Sequence, residues 1–129
     1  MDFLKPYASH LLSVLRIMSG LLLLQHGTAK WLSFPPSPMA NVPGMSMGGV
    51  AGLLELIGGV LLVIGLLTRP VAFVLSGLCA VAYFWAHAPR GFFPILNGGE
   101  LAALYAFVFL FIAAAGGGIW SSDKTRGAE

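Results

Sequence analysis

The chain has 129 residues, of which 57% are hydrophobic and 9% charged, with a formal net charge of +2. Soluble domains carry about 25% charged residues, so the composition excludes a water-facing surface and points to a lipid bilayer as the solvent. The basic residues are scattered with no Lys/Arg run, which excludes a nucleic-acid partner.

A membrane-spanning helix needs about 20 mostly apolar residues. Taken in chain order, the first such window gives a helix over about 8–30, with the core LLSVLRIMSGLLLLQHGTA. Arg16 interrupts its apolar run and no small-x-small cleavage site follows, so a retained helix is expected rather than a signal peptide. FPPSPMANVPG (34–44) holds four prolines, cannot be a helix interior, and reads as an ordered outer loop. The second helix is predicted over 47–67. TRP (68–70) then makes a tight connection, with Pro70 suited to the start of a third helix over 70–87. Cys79, the single cysteine, sits in that helix, permits no intrachain disulfide and reads as a small buried hydrophobe. The stretch AYFWAHAPRGFFPILNGGE leads into a fourth helix over 98–119. Asn97 is expected to cap it and Glu100 to stand at its third position, facing the positive end of the dipole. GGG (116–118) loosens its end, and the polar tail 120–129 is expected to fray.

The expected fold is all-α: one domain, 1–129, folded as a polytopic four-transmembrane-helix bundle. Lys5, Arg69, Lys124 and Arg126 fall on one side and Lys30 and Arg90 on the other. The positive-inside rule then puts both termini in the cytoplasm.

Polar residues recur at helical spacing, and such residues in membrane helices face the protein interior. Ser9, Ser13, Arg16, Gly20, Leu23, His26 or Gly27, and Lys30 share a face of the first helix; Ala51, Glu55, Gly58, Gly59 and Gly65 share one on the second. Ser76, Gly77, Ala80, Tyr83 and His87 do so on the third, and Glu100, Ala103, Leu104 and Phe107 on the fourth. The outer half thereby collects Gln25, His26, Lys30, Glu55, His87, Arg90, Asn97 and Glu100, against chiefly Arg16 in the inner half.

This pattern predicts a site. The chemistry is expected from His26, Glu55, His87 and Glu100, since a His and a carboxylate in low dielectric can hold or relay a proton. Ligand contacts are expected from Gln25, Lys30, Tyr83, Trp85, Arg90, Asn97 and Arg16: the cations suit an oxygen-bearing headgroup and the aromatics flank a flat ring. The same His26, Glu55, His87 and Glu100 also resemble a bundle metal set, though without an ExxH pair. Structural readings stand beside these. Glu55 pairs with Arg16 or a His to hold the bundle, Lys30 anchors the chain at the membrane surface, and the glycine pairs let helices approach.

LLLLQHGTAKWLSF, GLLELIGGVLLVIGLLTRP and AYFWAHAPRGFFPILNGGE, in this order, resemble the DoxX family of small bacterial four-helix membrane proteins, over about Leu15 to Ala115. The motif positions are His26, Gly27 and Lys30, then Glu55, Thr68, Arg69 and Pro70, then His87, Pro89, Gly91, Asn97, Gly98 and Glu100. The resemblance implies a multi-pass protein of the bacterial cytoplasmic (inner) membrane. Some relatives are associated with quinone-linked oxidoreductase complexes and with oxidative and thiol stress. The first expectation is therefore a quinone-linked oxidoreductase subunit, working with partner subunits because no soluble redox domain is encoded here. The alternatives are a non-enzymatic binding or assembly protein for a lipid, hydrophobic ligand or partner protein, in either case with a homo-oligomer open, and a His/Glu metal-binding membrane protein.

Overall fold

The computed structural model describes residues 1–38, 40 and 42–128; Met39 and Asn41 of the expected outer loop, and Glu129 of the tail, lie outside the described residues. After a 3-10 turn at Asp2–Tyr7, the described chain forms α1 (Ala8–Leu32), α2 (Met47–Ile64), α3 (Thr68–Ala82), the short α4 (Pro94–Asn97), α5 (Glu100–Ala115) and the short α6 (Ser122–Thr125). Between α3 and α4 the backbone passes through a π turn, Tyr83–His87, and a 3-10 turn, Ala88–Arg90.

The burial pattern is that of a membrane protein. Arg16, Glu55, Ser13, Thr68 and Asn97 are buried, while Phe73, Leu104 and Phe107 are at least 60% exposed. Water would reverse that distribution; lipid tails accept it. Among the described residues, three helical segments are long and apolar enough to cross a membrane: Asp2–Leu32, Met47–Ile64 and Thr68–Arg90. The fourth is apolar but shorter than the expected 98–119. Gly98 (φ 74°) ends α4, and Gly116 (φ 90°) ends α5, leaving 16 residues. At 1.5 Å per residue these span about 24 Å, less than a hydrocarbon core of about 30 Å.

The helices assemble as two tight pairs, α1 with α2 and α3 with α5, joined mainly through α2 and α3. Glycine sets the first pair. A Cβ on Gly27 would stand 2.6 Å from the Leu56 amide nitrogen and 2.8 Å from the Gly52 carbonyl, and one on Gly59 would stand 2.9 Å from the Leu24 Cα. Backbone therefore meets backbone, as small residues permit in membrane helices. The α3–α5 pair is tied by the Ser76 hydroxyl, which donates to the Ala106 carbonyl at 2.6 Å. Leu23, Leu62, Ala72, Leu75, Cys79, Tyr105, Phe109 and Ile112 form the core.

Two expected faces differ. On α3, Gly77 is exposed with open space around it; the buried stripe is Ala72, Leu75, Ser76 and Cys79. On α5, Leu104 and Phe107 are exposed, and Tyr105, Phe109 and Ile112 face inward. A helix apolar all round carries no sided signal, and taking Glu100 as the marker of the inner face set the wrong phase.

The residues after α5 are not frayed. Gly117 and Trp120 return to α1: Arg16, 1% exposed, donates to the Gly117 carbonyl, to Trp120 O at 2.7 Å and to Val63 O at 3.4 Å. Ser13 Oγ accepts the Trp120 N–H at 2.9 Å. Arg16 thus lies at the C-terminal end of α2, the electrostatically favourable end for a cation, and binds the carbonyls of the segment that follows α5. Arg69 does the same for α5, donating to the Ala113 and Ala114 carbonyls. Asp123 completes this closed end by accepting the Leu67 N–H at 2.9 Å and the Thr68 N–H at 2.8 Å, capping α3 from a distant segment. Burial would raise the Asp123 carboxyl, but the hydrogen bonds from Thr68 and Leu67, with the Arg126 charge, outweigh it and hold it below the ordinary carboxylate value.

Candidate functional site

At the opposite end, a cavity of about 430 Å³ opens among α1, α2, α3 with its π turn, and α5. His26 and Lys30 reach it from α1, Glu55 from α2, Cys79 from α3, His87 and Arg90 from the turns that follow, and Leu101, Ala102 and Tyr105 from α5.

Its most strongly fixed feature is an ion pair. Lys30 Nζ donates to both Glu55 carboxylate oxygens, at 3.0 and 2.9 Å, with the two side chains 14% and 11% exposed. The lysine is therefore tied inward rather than anchored at the membrane surface, and Glu55 pairs with it instead of Arg16 or a histidine. Gly52 makes room: a Cβ there would come within 3.0 Å of Lys30 Cβ and 2.9 Å of its Cδ.

Both histidines are oriented by carbonyls. His26 Nδ1 is 2.9 Å from Leu22 O, and His87 Nδ1 is 3.2 Å from Asn97 O. A carbonyl only accepts, so each Nδ1 carries the proton, and each Nε2 is the nitrogen available to the cavity. The π turn positions His87 at the rim, and π turns often mark functional positions in helices. Asn97 supports it. Its side-chain amide donates to Tyr83 Oη at 3.2 Å and Gly91 O at 3.0 Å, and its Oδ1 accepts the Gly99 N–H at 2.8 Å. Gly99 allows close packing here, since a Cβ would stand 2.7 Å from the Tyr83 ring.

Tyr105 is the residue the sequence analysis missed. It is 5% exposed, lines the cavity, stacks on Phe109 at 5.2 Å, and its hydroxyl has no hydrogen-bond partner among the described residues. An unmet buried hydroxyl is costly, and a native one calls for an explanation. The available signal was that Tyr105 is the one hydroxyl in ELAALYAFVFLFIAAA. Cys79, read as a plain core residue, is buried and also borders the cavity.

The remaining expected residues are placed elsewhere. Arg16 lies at the closed end, committed to Gly117 and Trp120. Glu100 is the first rather than the third residue of α5, is exposed and is not among the cavity-lining residues. Asn97 is buried as the scaffold of the turn and does not line the cavity; Tyr83 is its partner. Gln25 is exposed outside the cavity, and Trp85, 68% exposed, lines a neighbouring groove. The sequence reading grouped these by height along the bundle, which says nothing of rotation about each helix. Among the described residues no three His, Cys, Asp or Glu side chains come together as a potential metal site.

Together, the apolar helices with their buried charges and the small-residue crossing of α1 and α2 define a helical integral membrane protein with a polar cavity at one end of its bundle. The DoxX family profile matches residues 11–88. The chain belongs to the DoxX family. It is 44% identical to a Haemophilus influenzae protein described as uncharacterized, the alignment covering 96% of each chain. A second uncharacterized protein of that organism is 35% identical over 68% of this chain and 58% of its own length. No solved structure matches.

Proposed function

We propose that this protein is the quinone-binding subunit of an oxidoreductase complex in the bacterial cytoplasmic membrane, with both termini on the cytoplasmic side. One observation carries the reading: the unpartnered Tyr105 hydroxyl in a cavity that also holds His26, His87, Arg90 and the Lys30–Glu55 pair. That set fits a small ring bearing carbonyl oxygens. The volume admits a substituted benzoquinone head, the Tyr105 hydroxyl offers a hydrogen bond to one of its oxygens, the histidine Nε2 atoms can accept from the hydroxyls of its quinol form, and Arg90 and Lys30 favour negative charge on the oxygens.

Reduction of a quinone to the quinol consumes a pair of electrons and a pair of protons. A partner redox subunit supplies the electrons, consistent with the associations of the family. This chain binds and orients the head, with Glu55 and the histidines as the acid–base groups beside it. Titrating purified protein with a benzoquinone and following tryptophan fluorescence tests the binding, together with mass spectrometry of small molecules that co-purify in mild detergent. Saturable quenching and a co-purifying quinone are expected; absence of both overturns the proposal.

The bidentate Lys30–Glu55 contact favours a second reading, a binding or assembly protein whose charges are structural. It predicts that Glu55→Gln lowers stability while the protein shows no redox change with any quinone.

A further inference from the structure

A second cavity, of about 420 Å³, lies between the first turn of α2 and the end of α3. Apart from Lys30 and Ser46 its lining is apolar or small, including Val50, Ala51, Val81 and the exposed Trp85. Lys30, Leu78, Ala82 and Ala86 line both this groove and the polar cavity. The two spaces therefore share a wall, built from two alanines, a leucine and the stem of a lysine whose ammonium is held away on Glu55. Val50 and Val81, with the groove between them, are about half exposed on the apolar outer surface of the bundle.

We propose that the groove holds the hydrocarbon tail of the same ligand whose head occupies the polar cavity. The ligand class is then a single-tailed membrane amphiphile that enters sideways from the bilayer between α2 and α3, and a water-soluble quinone is not the natural occupant. This rests on the headgroup reading above. Two independent features point the same way: Tyr105 offers an unmet hydrogen bond at the polar end, and the groove adjoins that end across a shared wall in which Ala82 and Ala86 leave the least side chain between the two spaces. Lipid is as apolar as the groove, so the tail adds little binding energy there. The groove instead lets a tailed head seat without pulling its tail through the polar cavity. Lys30 borders both compartments, its methylenes beside the tail and its ammonium beside the head, a division natural to lysine.

The experiment uses the full chain in lipid nanodiscs and two probes, a tailless methyl-substituted benzoquinone and its decyl derivative. Val81→Trp and, from the opposite wall, Ala51→Phe fill the groove without touching the polar cavity. Each variant is compared with the wild type in the same lipid, which cancels partitioning of the decyl probe. Both variants are expected to keep the tailless probe and to bind the decyl probe about tenfold more weakly, equivalent to about 1.4 kcal/mol. Equal retention of both probes, or equal loss of both, overturns the tail site. Failure of the wild type to bind either probe overturns the headgroup reading instead.

Discussion

Replacing Lys30 with Met isolates the energetic weight of the ion pair. The substitution keeps the stem packed against Gly52 and removes only the ammonium, leaving the Glu55 carboxylate, 11% exposed, without its two donated hydrogen bonds. Breaking a buried pair from one side costs about 3–5 kcal/mol. The two side chains keep 14% and 11% exposure, so the lower figure applies, about 3 kcal/mol. For a chain of this size that corresponds to a fall in unfolding midpoint of roughly 10 °C. Glu55→Leu is expected to cost a similar amount by stranding the ammonium, whereas the double variant buries no lone charge and recovers most of the loss. Unfolding in mixed micelles, followed by circular dichroism for all four proteins, yields the coupling energy. Losses that add, with coupling below about 0.5 kcal/mol, would refute the inference that the two charges are bound mainly to each other.

Asp123→Asn weakens the α3 cap and is expected to cost about 2 kcal/mol, the scale of a hydrogen bond to a charged group. Because the Asp123 carboxyl is held below its ordinary value, its contribution is complete above about pH 4 and is lost as the pH falls through the folded value. The Asn variant should therefore show a shallower acid limb in a stability–pH profile. Gly27→Leu drives a side chain into the Leu56 and Gly52 backbones; a loss of at least about 3 kcal/mol is expected, seen as aggregation or early unfolding in detergent. Tyr105→Phe removes an unpartnered hydroxyl, so stability should stay within about 1 kcal/mol of wild type or rise. In the same variant the tailless benzoquinone should bind about tenfold more weakly; unchanged affinity would remove Tyr105 from the site.

Much of the helical framework was legible because its signals are local. Apolar length marks the spans, and the prolines and glycines mark the breaks. The meeting of His26, Lys30, Glu55, His87 and Arg90 at one cavity follows from their similar height and from the inward preference of polar groups. Rotation was legible only on α1 and α2, where glycines and charges break the apolar background; Phe and Leu surround α5 on every side, so Tyr105 was concealed. The capping by Asp123 was illegible for another reason. A carboxylate serving a helix more than fifty residues upstream leaves no spacing rule to read. The polar tail looked like solvent-loving sequence, while Ser121 and Asp123 are in fact buried.

The hold of the C-terminal segment on Arg16 also sets a timetable. Between Arg16 and its acceptor at Gly117 lie about a hundred residues of chain. During synthesis, α1 emerges with its guanidinium long before the Gly117 and Trp120 carbonyls exist, and α3 begins before Asp123 can cap it. Every nascent form short of Asp123 therefore carries an uncompleted closed end, however well its helices are inserted. The segment after α5 acts as a seal applied last, so truncations within 117–123 should leave inserted but unfinished bundles exposed to membrane quality-control proteases.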